Sequence, residues 1–433
     1  MKQKIGIVGA GYTGLTLGYY LAKAGHEVTL FEKDNQVGGL AGTFKVGNTE
    51  LEKFYHHWFT NDEHIMGLIK ELGLEADIMI RPTRTGMYYA NNFFKLSSPL
   101  DLLKFKPLPF ISRIRLGFVV LAVRMVKDWR KLESKTAVEW LKGICGEKAY
   151  QVVWEPLLKG KFGRYAEQIS AVWFWNKLKL RGGSRGEKGA ENLAYFKGGF
   201  AQLANKVKEE INANGGIIHL NCGVEKVVEN QTIYTENGEQ IQFDKIILTA
   251  PLPIISKMIA DIATPDYLTQ INKINYIGNV CLVLQLDRSL SEIYWLNVND
   301  PDFPFVGIIE HTNFEPTESY DGKHIVYMSK YLPTDEAMYK MADKAVLDYA
   351  LPYIKRMFPK FEDDWITDYH VWREAYSQPL VEKHYSQLIP AWETPMDGVY
   401  INTMAQIYPE DRGTNYAVRE GKKMAMEIID GRL

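Results

Sequence analysis

The sequence predicts an α/β fold: a three-layer domain on a parallel sheet, interleaved with a mixed-sheet domain and a helical cap. Three observations predict it. Apolar runs suited to buried parallel strands stand at residues 4–8, 245–249 and 397–403. Helix-period segments follow the first and the last of them, at 15–24 and 418–429. Between these, helical spacing dominates from 111 to 158, and strand-like alternation runs from 274 to 332. With 433 residues, 46% apolar and 24% charged, the chain can bury two or three interleaved subdomains.

The first strand leads directly into a turn of the form G-x-G-x-x-G, at Gly9, Gly11 and Gly14. Gly9 allows the tight turn, Gly11 lets the backbone approach a pyrophosphate, and Gly14 lets helix and strand pack closely. The pyrophosphate would rest on the helix N-terminus, where free N–H groups and the dipole favour an anion. A second strand at 28–31 ends on Glu32, placed to accept a hydrogen bond from a ribose 2′-OH. Strand, turn, helix and acid together make a Rossmann-like dinucleotide unit.

A second glycine cluster follows, Gly38-Gly39-Leu40-Ala41-Gly42-Thr43. It resembles the second glycine motif of flavoproteins in the amine oxidase, protoporphyrinogen oxidase and UDP-galactopyranose mutase superfamily. The resemblance implies FAD as cofactor and a glutathione reductase-like FAD-binding domain. It places Gly9, Gly11, Tyr12, Thr13, Gly14, Glu32, Lys33, Gly39, Leu40 and Ala41 along the dinucleotide. Many relatives carry an arginine after the glycine pair. Leu40 and Ala41 stand there in this chain, so contact would come from backbone.

Residues 53–59 read KFYHHWF and precede a helix-spaced stretch, 63–72, closed by Gly73. They resemble the segment that crosses in front of the flavin in the mutase and protoporphyrinogen oxidase relatives. His57 matches a histidine near the isoalloxazine, and His56 is its neighbour. On extended chain the two point opposite ways. Residues 74–168 form a mostly helical insert after a short sheet-like piece, with Thr136 and Glu139 spaced as a capping box. Residues 172–197 are rich in aromatics, glycine and base, and are expected to form a loop that is mobile or contacts ligand. There Arg181 and Arg185 could hold a phosphate or carboxylate in bidentate fashion.

An amphipathic helix after Gly198-Gly199, a hairpin through Glu236-Asn237-Gly238 and the strand at 245–249 resemble the second FAD segment. By that match Val224 faces the adenine side through its backbone. Residues 397–417, leading into the last helix, resemble the closing FAD motif, with Arg412, Thr414, Asn415 and Tyr416 near the flavin. Asn402 and Thr403 replace the usual glycine and aspartate. The implied segments are 1–75, 191–262 and 391–433 for FAD, 76–190 for the helical cap, and 263–390 for the substrate-domain sheet.

A formal net charge of −2 excludes a general nucleic-acid binder. Cys145, Cys222 and Cys281 show neither disulfide nor metal spacing and suit a reducing compartment. The glycine motif lies so close to Met1 that the cytoplasm is expected. An apolar run at 116–123, flanked by Arg113, Arg115, Arg124 and Lys127, could lie on a membrane surface or bury against the protein. Monomer and homodimer are both open.

The resemblance implies hydride transfer between a small molecule and flavin N5, for an apolar, ring-shaped or sugar-linked substrate. A non-redox flavoenzyme similar to UDP-galactopyranose mutase is the alternative, and a flavin-binding protein without turnover is a third. Many amine oxidases place a lysine on a substrate-domain strand. The matching stretch, 277–283, has Asn279 and Cys281 and no lysine, which argues against amine oxidation. His57, His56, Arg181 and Arg412 are the candidate catalytic residues.

Overall fold

The computed structural model describes residues 2–95, 101, 103–183 and 191–433. β1 (Lys4–Val8), α1 (Tyr12–Lys23), β2 (Glu27–Phe31) and α2 (Glu63–Glu71) form the first segment. β3 (Thr85–Tyr89) and β4 (Asn92–Lys95) make a hairpin. Helices α3 (Phe110–Met125), α4 (Ala137–Ala149), α5 (Glu155–Phe162) and α6 (Ala171–Gly183) follow. α7 (Phe200–Ala213), β5 (Ile217–His219) and β6 (Lys245–Leu248) return to the first domain. Next come β7 (Tyr276–Leu286), β8 (Trp295–Val298), β9 (Gly307–Glu310), β10 (His324–Leu332), α8 (Asp343–Met357) and β11 (Ile366–Pro379). β12 (Val399–Ile401) and α9 (Thr414–Ile429) are last.

The first domain is a parallel sheet in the order β5-β2-β1-β6-β12. Strands from three distant parts of the chain thus sit side by side, as the three apolar runs predict. α1 packs against α7 and α9 on one face. An antiparallel ribbon over residues 224–242 covers the other face. It comes so close that a Cβ on Gly6 would stand 2.9 Å from Phe243. Helices, sheet and ribbon are the expected three layers, and Ile5 and Ile7 between them have no accessible surface.

The second domain is a mixed sheet in the order β11-β7-β10-β9-β8-β3-β4. Its pairings are antiparallel except β3 with β8. The hairpin at 85–95, grouped with the cap by sequence, is built into this sheet. α8 packs its apolar face, Val346, Ala350 and Ile354, against it.

Two readings of the cap region are corrected. The stretch at 172–197 is not a loop throughout: it holds α6 and a strand, Glu191–Phe196, that pairs with Ile78–Thr83. Trp173, Phe174 and Trp175 are core side chains. Three consecutive aromatics hide a helical period when every side of the helix meets protein. Arg185 lies outside the described residues, and Arg181 sits in the last turn of α6 with its side chain outside them. The helix predicted from 111 onward ends at Met125. The capping box of α4 forms as predicted: Glu139 N–H donates to Thr136 Oγ1 at 3.1 Å, and Thr136 N–H to Glu139 Oε2 at 2.7 Å.

Glu52 joins the two domains. Its buried carboxylate accepts from Phe200 N–H (2.6 Å) at the start of α7 and from the Tyr195 hydroxyl (2.7 Å). Its backbone oxygen accepts from Tyr327 of β10 at 2.7 Å. Burial pushes the carboxyl up to about 7, against the pull of these donors. The folded chain therefore keeps a proton between pH 4.5 and 7 that the unfolded chain releases, so stability falls as pH rises through that window. Glu52→Gln lacks this dependence. Chemical unfolding at several pH values is expected to show the wild type losing on the order of 3 kcal/mol relative to the variant from pH 4.5 to 7. Parallel stability curves would overturn this.

Candidate active site

The turn after β1 has the shape of a dinucleotide cradle. Gly9 takes φ +103°, and its N–H donates to Phe31 O at 2.8 Å. A Cβ on Gly14 would stand 2.0 Å from Gly9 O, so only glycine lets α1 start this close to the strand. α1 has no side-chain cap and no acid in its first turn. The first three N–H groups of α1 have no acceptor within the helix. That is the chemistry a pyrophosphate needs.

The second glycine cluster is joined to this turn. Gly38 N–H donates to Ala10 O at 2.9 Å, and Gly11 and Gly38 pair as a parallel bridge. Gly39, at φ +59°, would place a Cβ 3.1 Å from Gly11 Cα. The two motifs thus abut backbone to backbone. Glu32 accepts from Ala10 N–H (2.8 Å) and Asp34 N–H (3.0 Å). Each oxygen keeps a further lone pair, so Glu32 steadies the turn and can still accept another hydrogen bond. Burial raises its pKa, partly offset by those donors. These features fit a bound FAD.

The remaining expected contacts divide. Tyr12 is buried and its hydroxyl donates to Phe200 O at 2.9 Å, tying α1 to α7. Thr13 and Leu40 are half-buried beside the turn, and Ala41 is buried. Lys33 points to solvent, 4.0 Å from Asp34. Val224 opens the ribbon opposite Thr235. Thr403 caps the turn after β12, accepting from Ala405 N–H at 3.2 Å. Thr414, which begins α9, accepts from Trp58 Nε1 at 2.7 Å. Asn415 serves another helix: its Oδ1 accepts from His64 N–H (2.9 Å) and Ile65 N–H (3.0 Å) at the start of α2. Tyr416 is half-buried under the Arg419 guanidinium.

The two histidines do point apart. His56 packs on Phe200, and its Nδ1–H donates to Phe54 O at 2.6 Å. A carbonyl can only accept, so this fixes the tautomer and leaves Nε2 as an acceptor. Burial lowers its pKa to about 4, and the Arg412 cation adds to this. His57 lies toward the mixed sheet, with Nδ1 3.2 Å from the Tyr294 hydroxyl and its ring edge-on to Trp295. The field of Arg412 reaches His56.

Around Arg412 the structure assembles a group that sequence did not reveal. Arg412 Nη2 donates to the Tyr331 hydroxyl at 3.3 Å, and its Nε has no partner among the described residues. Lys161, at the end of α5, sets its Nζ 4.4 Å from the centre of the Tyr331 ring and 5.3 Å from that of Trp173. No hydrogen bond or ion pair to Lys161 Nζ occurs among the described residues. Asp411 accepts from Trp173 Nε1 (2.8 Å) and Gln378 Nε2 (3.0 Å) and pairs with Lys177 at 2.5 Å. Three cations therefore surround one carboxylate. Tyr55, from the KFYHHWF segment, interacts electrostatically with Tyr331 and links the crossing segment to this group.

Burial lowers the Lys161 pKa to about 8, and Lys177 and Arg412 add to this against Tyr331 and Asp411. Burial pushes the Tyr331 phenol up, yet the Lys161 and Arg412 cations outweigh it and bring it below its ordinary value. Burial also works against the Asp411 carboxylate, but Lys177 and Lys161 hold it well below the usual range. Tyr55, His56, Lys161 and Arg412 lie deep, yet each keeps accessible surface, as groups lining an internal cleft do. Lys161 is the residue that sequence reasoning missed. Its cue is tertiary, because Tyr331 stands far along the chain on β10.

A family model described as flavin containing amine oxidoreductase matches residues 12–429. The chain is 22% identical over 289 residues to coproporphyrinogen III oxidase of Staphylococcus aureus, a match spanning 58% of this chain and 61% of that protein. It is 22% identical over 388 residues to 15-cis-phytoene desaturase of Synechococcus elongatus, covering 83% and 80% of the two chains. Among solved structures, reduced UDP-galactopyranose mutase superposes with a TM-score of 0.79 at 14% identity, over 99% of this chain and 94% of that one.

Proposed function

Because the chain belongs to the flavin-containing amine oxidoreductase family, with FAD as its cofactor, we propose that it oxidises a small anionic molecule in the Lys161–Arg412 cleft. FAD, when bound, would supply the two-electron acceptor for a hydride leaving a substrate carbon. The observation that carries this reading is the excess of buried positive charge around Tyr331. Charge of that kind is stable in a protein interior only with an anion to answer it. Arg412 would hold a carboxylate or phosphate and orient the carbon to be oxidised. As the hydride leaves, the atom bonded to that carbon sheds a proton, and the electron pair it releases closes a double bond between the two. Lys161, poised near neutrality, would take the proton at Nζ. Tyr331, stacked under Lys161 and bonded to Arg412, would fix their spacing.

The test is mass spectrometry of small molecules carried by the purified holoprotein. The expected find is an acid retained by the wild type and lost from Arg412→Met. Added back without oxygen, it should bleach the flavin absorbance band. A neutral or cationic ligand, bound equally by the variant, overturns the reading. One observation favours a second reading. Arg412 and Lys161 would also suit a sugar diphosphate, as in a non-redox flavoenzyme. Turnover appearing only after dithionite reduction, with no net redox change, marks that outcome.

A further inference from the structure

Helix α3 has two apolar faces and buries one. Leu116, Val119 and Val123 face the core, and Trp175 Nε1 of α6 donates to Val123 O at 3.0 Å. Phe110, Ile111, Ile114, Phe118, Leu121 and Met125 are between 44% and 78% exposed. From Ile111 their spacing is three, four, three and four residues, so at about 100° per residue they form one stripe opposite the buried face. The sequence left open whether this segment lies on a surface or buries against the protein. The helix buries one face against the protein and leaves the other exposed.

Charge says what the stripe faces. Residues 102–127 contain Lys104, Lys106, Arg113, Arg115, Arg124 and Lys127 and no acidic residue, in a chain whose net charge is −2. Arg115 flanks the stripe on one side and Arg124 on the other, both exposed. Arg113 secures the preceding loop, donating to Leu108 O (2.7 Å) and Leu103 O (2.6 Å), so exposed Lys104 and Lys106 stay beside the helix. An apolar stripe with a basic margin and no acid matches an anionic bilayer surface. Among the described residues no helix is long and apolar enough to cross a membrane, so α3 would lie in the interface plane.

We propose that this face of the cap is a docking surface for anionic lipid membranes. It places the membrane one helix away from the candidate site: α6 touches α3 through Trp175 and Asp411 through Trp173. The proposal does not depend on the redox reading, because none of its residues belongs to the cleft.

Flotation of the holoprotein with vesicles tests it. Vesicles of phosphatidylcholine with phosphatidylglycerol should carry the protein up at low salt, and pure phosphatidylcholine vesicles should carry far less. A triple variant, Phe118→Ser, Leu121→Ser and Met125→Ser, should lower the bound fraction at least tenfold with its flavin absorbance unchanged. Arg124→Glu with Lys127→Glu reads the charge separately and serves if the serine variant does not fold. Each basic residue lost is expected to cost about fivefold in partition. Three outcomes overturn the proposal. One is no flotation with anionic vesicles. Another is equal flotation of the variants. The third is a holoprotein dimer that the serine variant turns into monomer with no vesicle binding, which assigns the face to a second copy.

Discussion

Replacing Gly14 by alanine is expected to give a colourless protein. The added Cβ would stand 2.0 Å from Gly9 O and 3.2 Å from Gly9 C. Both are backbone atoms at the end of a buried strand, so no side chain can swing aside. Either α1 lifts from the sheet or the turn opens. Three hydrogen bonds depend on that turn: Gly9 to Phe31, Gly38 to Ala10, and Ala10 to Glu32. Overpacking of this kind costs about 3 kcal/mol where the surroundings are rigid. Moving the helix N-terminus would also withdraw the N–H groups on offer to a pyrophosphate, and FAD occupancy is expected below about a tenth of wild type. Gly117→Ala is the matched control. It lies within α3, its Cβ would meet nothing within 4 Å, and it should stabilise by up to about 1 kcal/mol. Flavin absorbance per mole of protein, with thermal unfolding, distinguishes the two. A Gly14→Ala protein with full FAD would sink the cradle reading.

The contrast between those glycines shows what a sequence makes legible. The cradle is written in consecutive residues, and each glycine has a local reason, so the motif could be read without the fold. The three apolar runs marked strands of the parallel sheet, though not the order in which they pair. The cleft could not be read this way. It brings together residues 55, 161, 331 and 412, which have no spacing in common. Lys161 sits in the run Leu158-Lys159-Gly160-Lys161-Phe162, where a lysine looks like a solvated helix residue. The strand where many relatives carry a lysine corresponds to β7, whereas the Lys161 amine comes from the cap. No local pattern shows that the Asn415 side chain secures α2 through 350 residues of separation. In 172–197 the aromatic composition resembled a binding loop. Composition alone cannot say whether a tryptophan faces a ligand or the core, and these face the core.

Lys161→Met is expected to stabilise the protein and disable it together. Burial brings the Lys161 pKa from 10.5 to about 8, so the folded state disfavours its charge. Between pH 8 and 10.5 the unfolded chain binds a proton that the folded chain does not, and wild-type stability therefore rises with pH across that window. Below pH 8 the full cost of the buried ammonium is present. Methionine fills the same space with no charge, and at pH 7 the variant should be more stable by about 2 kcal/mol. That gain should shrink as pH rises from 8 to 10.5. Turnover of the acid identified by mass spectrometry should fall about a hundredfold to ten-thousandfold, the range for losing a positioned proton acceptor. The stability measurement needs no substrate, so the two effects can be judged apart. A variant less stable at every pH would mean that Lys161 is a structural cation whose charge the fold welcomes. A variant more stable and equally active would leave the amine without a chemical role. A gain in stability with a loss of turnover is what a residue kept for chemistry predicts, with burial costing the ammonium more than its contacts with Trp173, Tyr331 and Asp411 return.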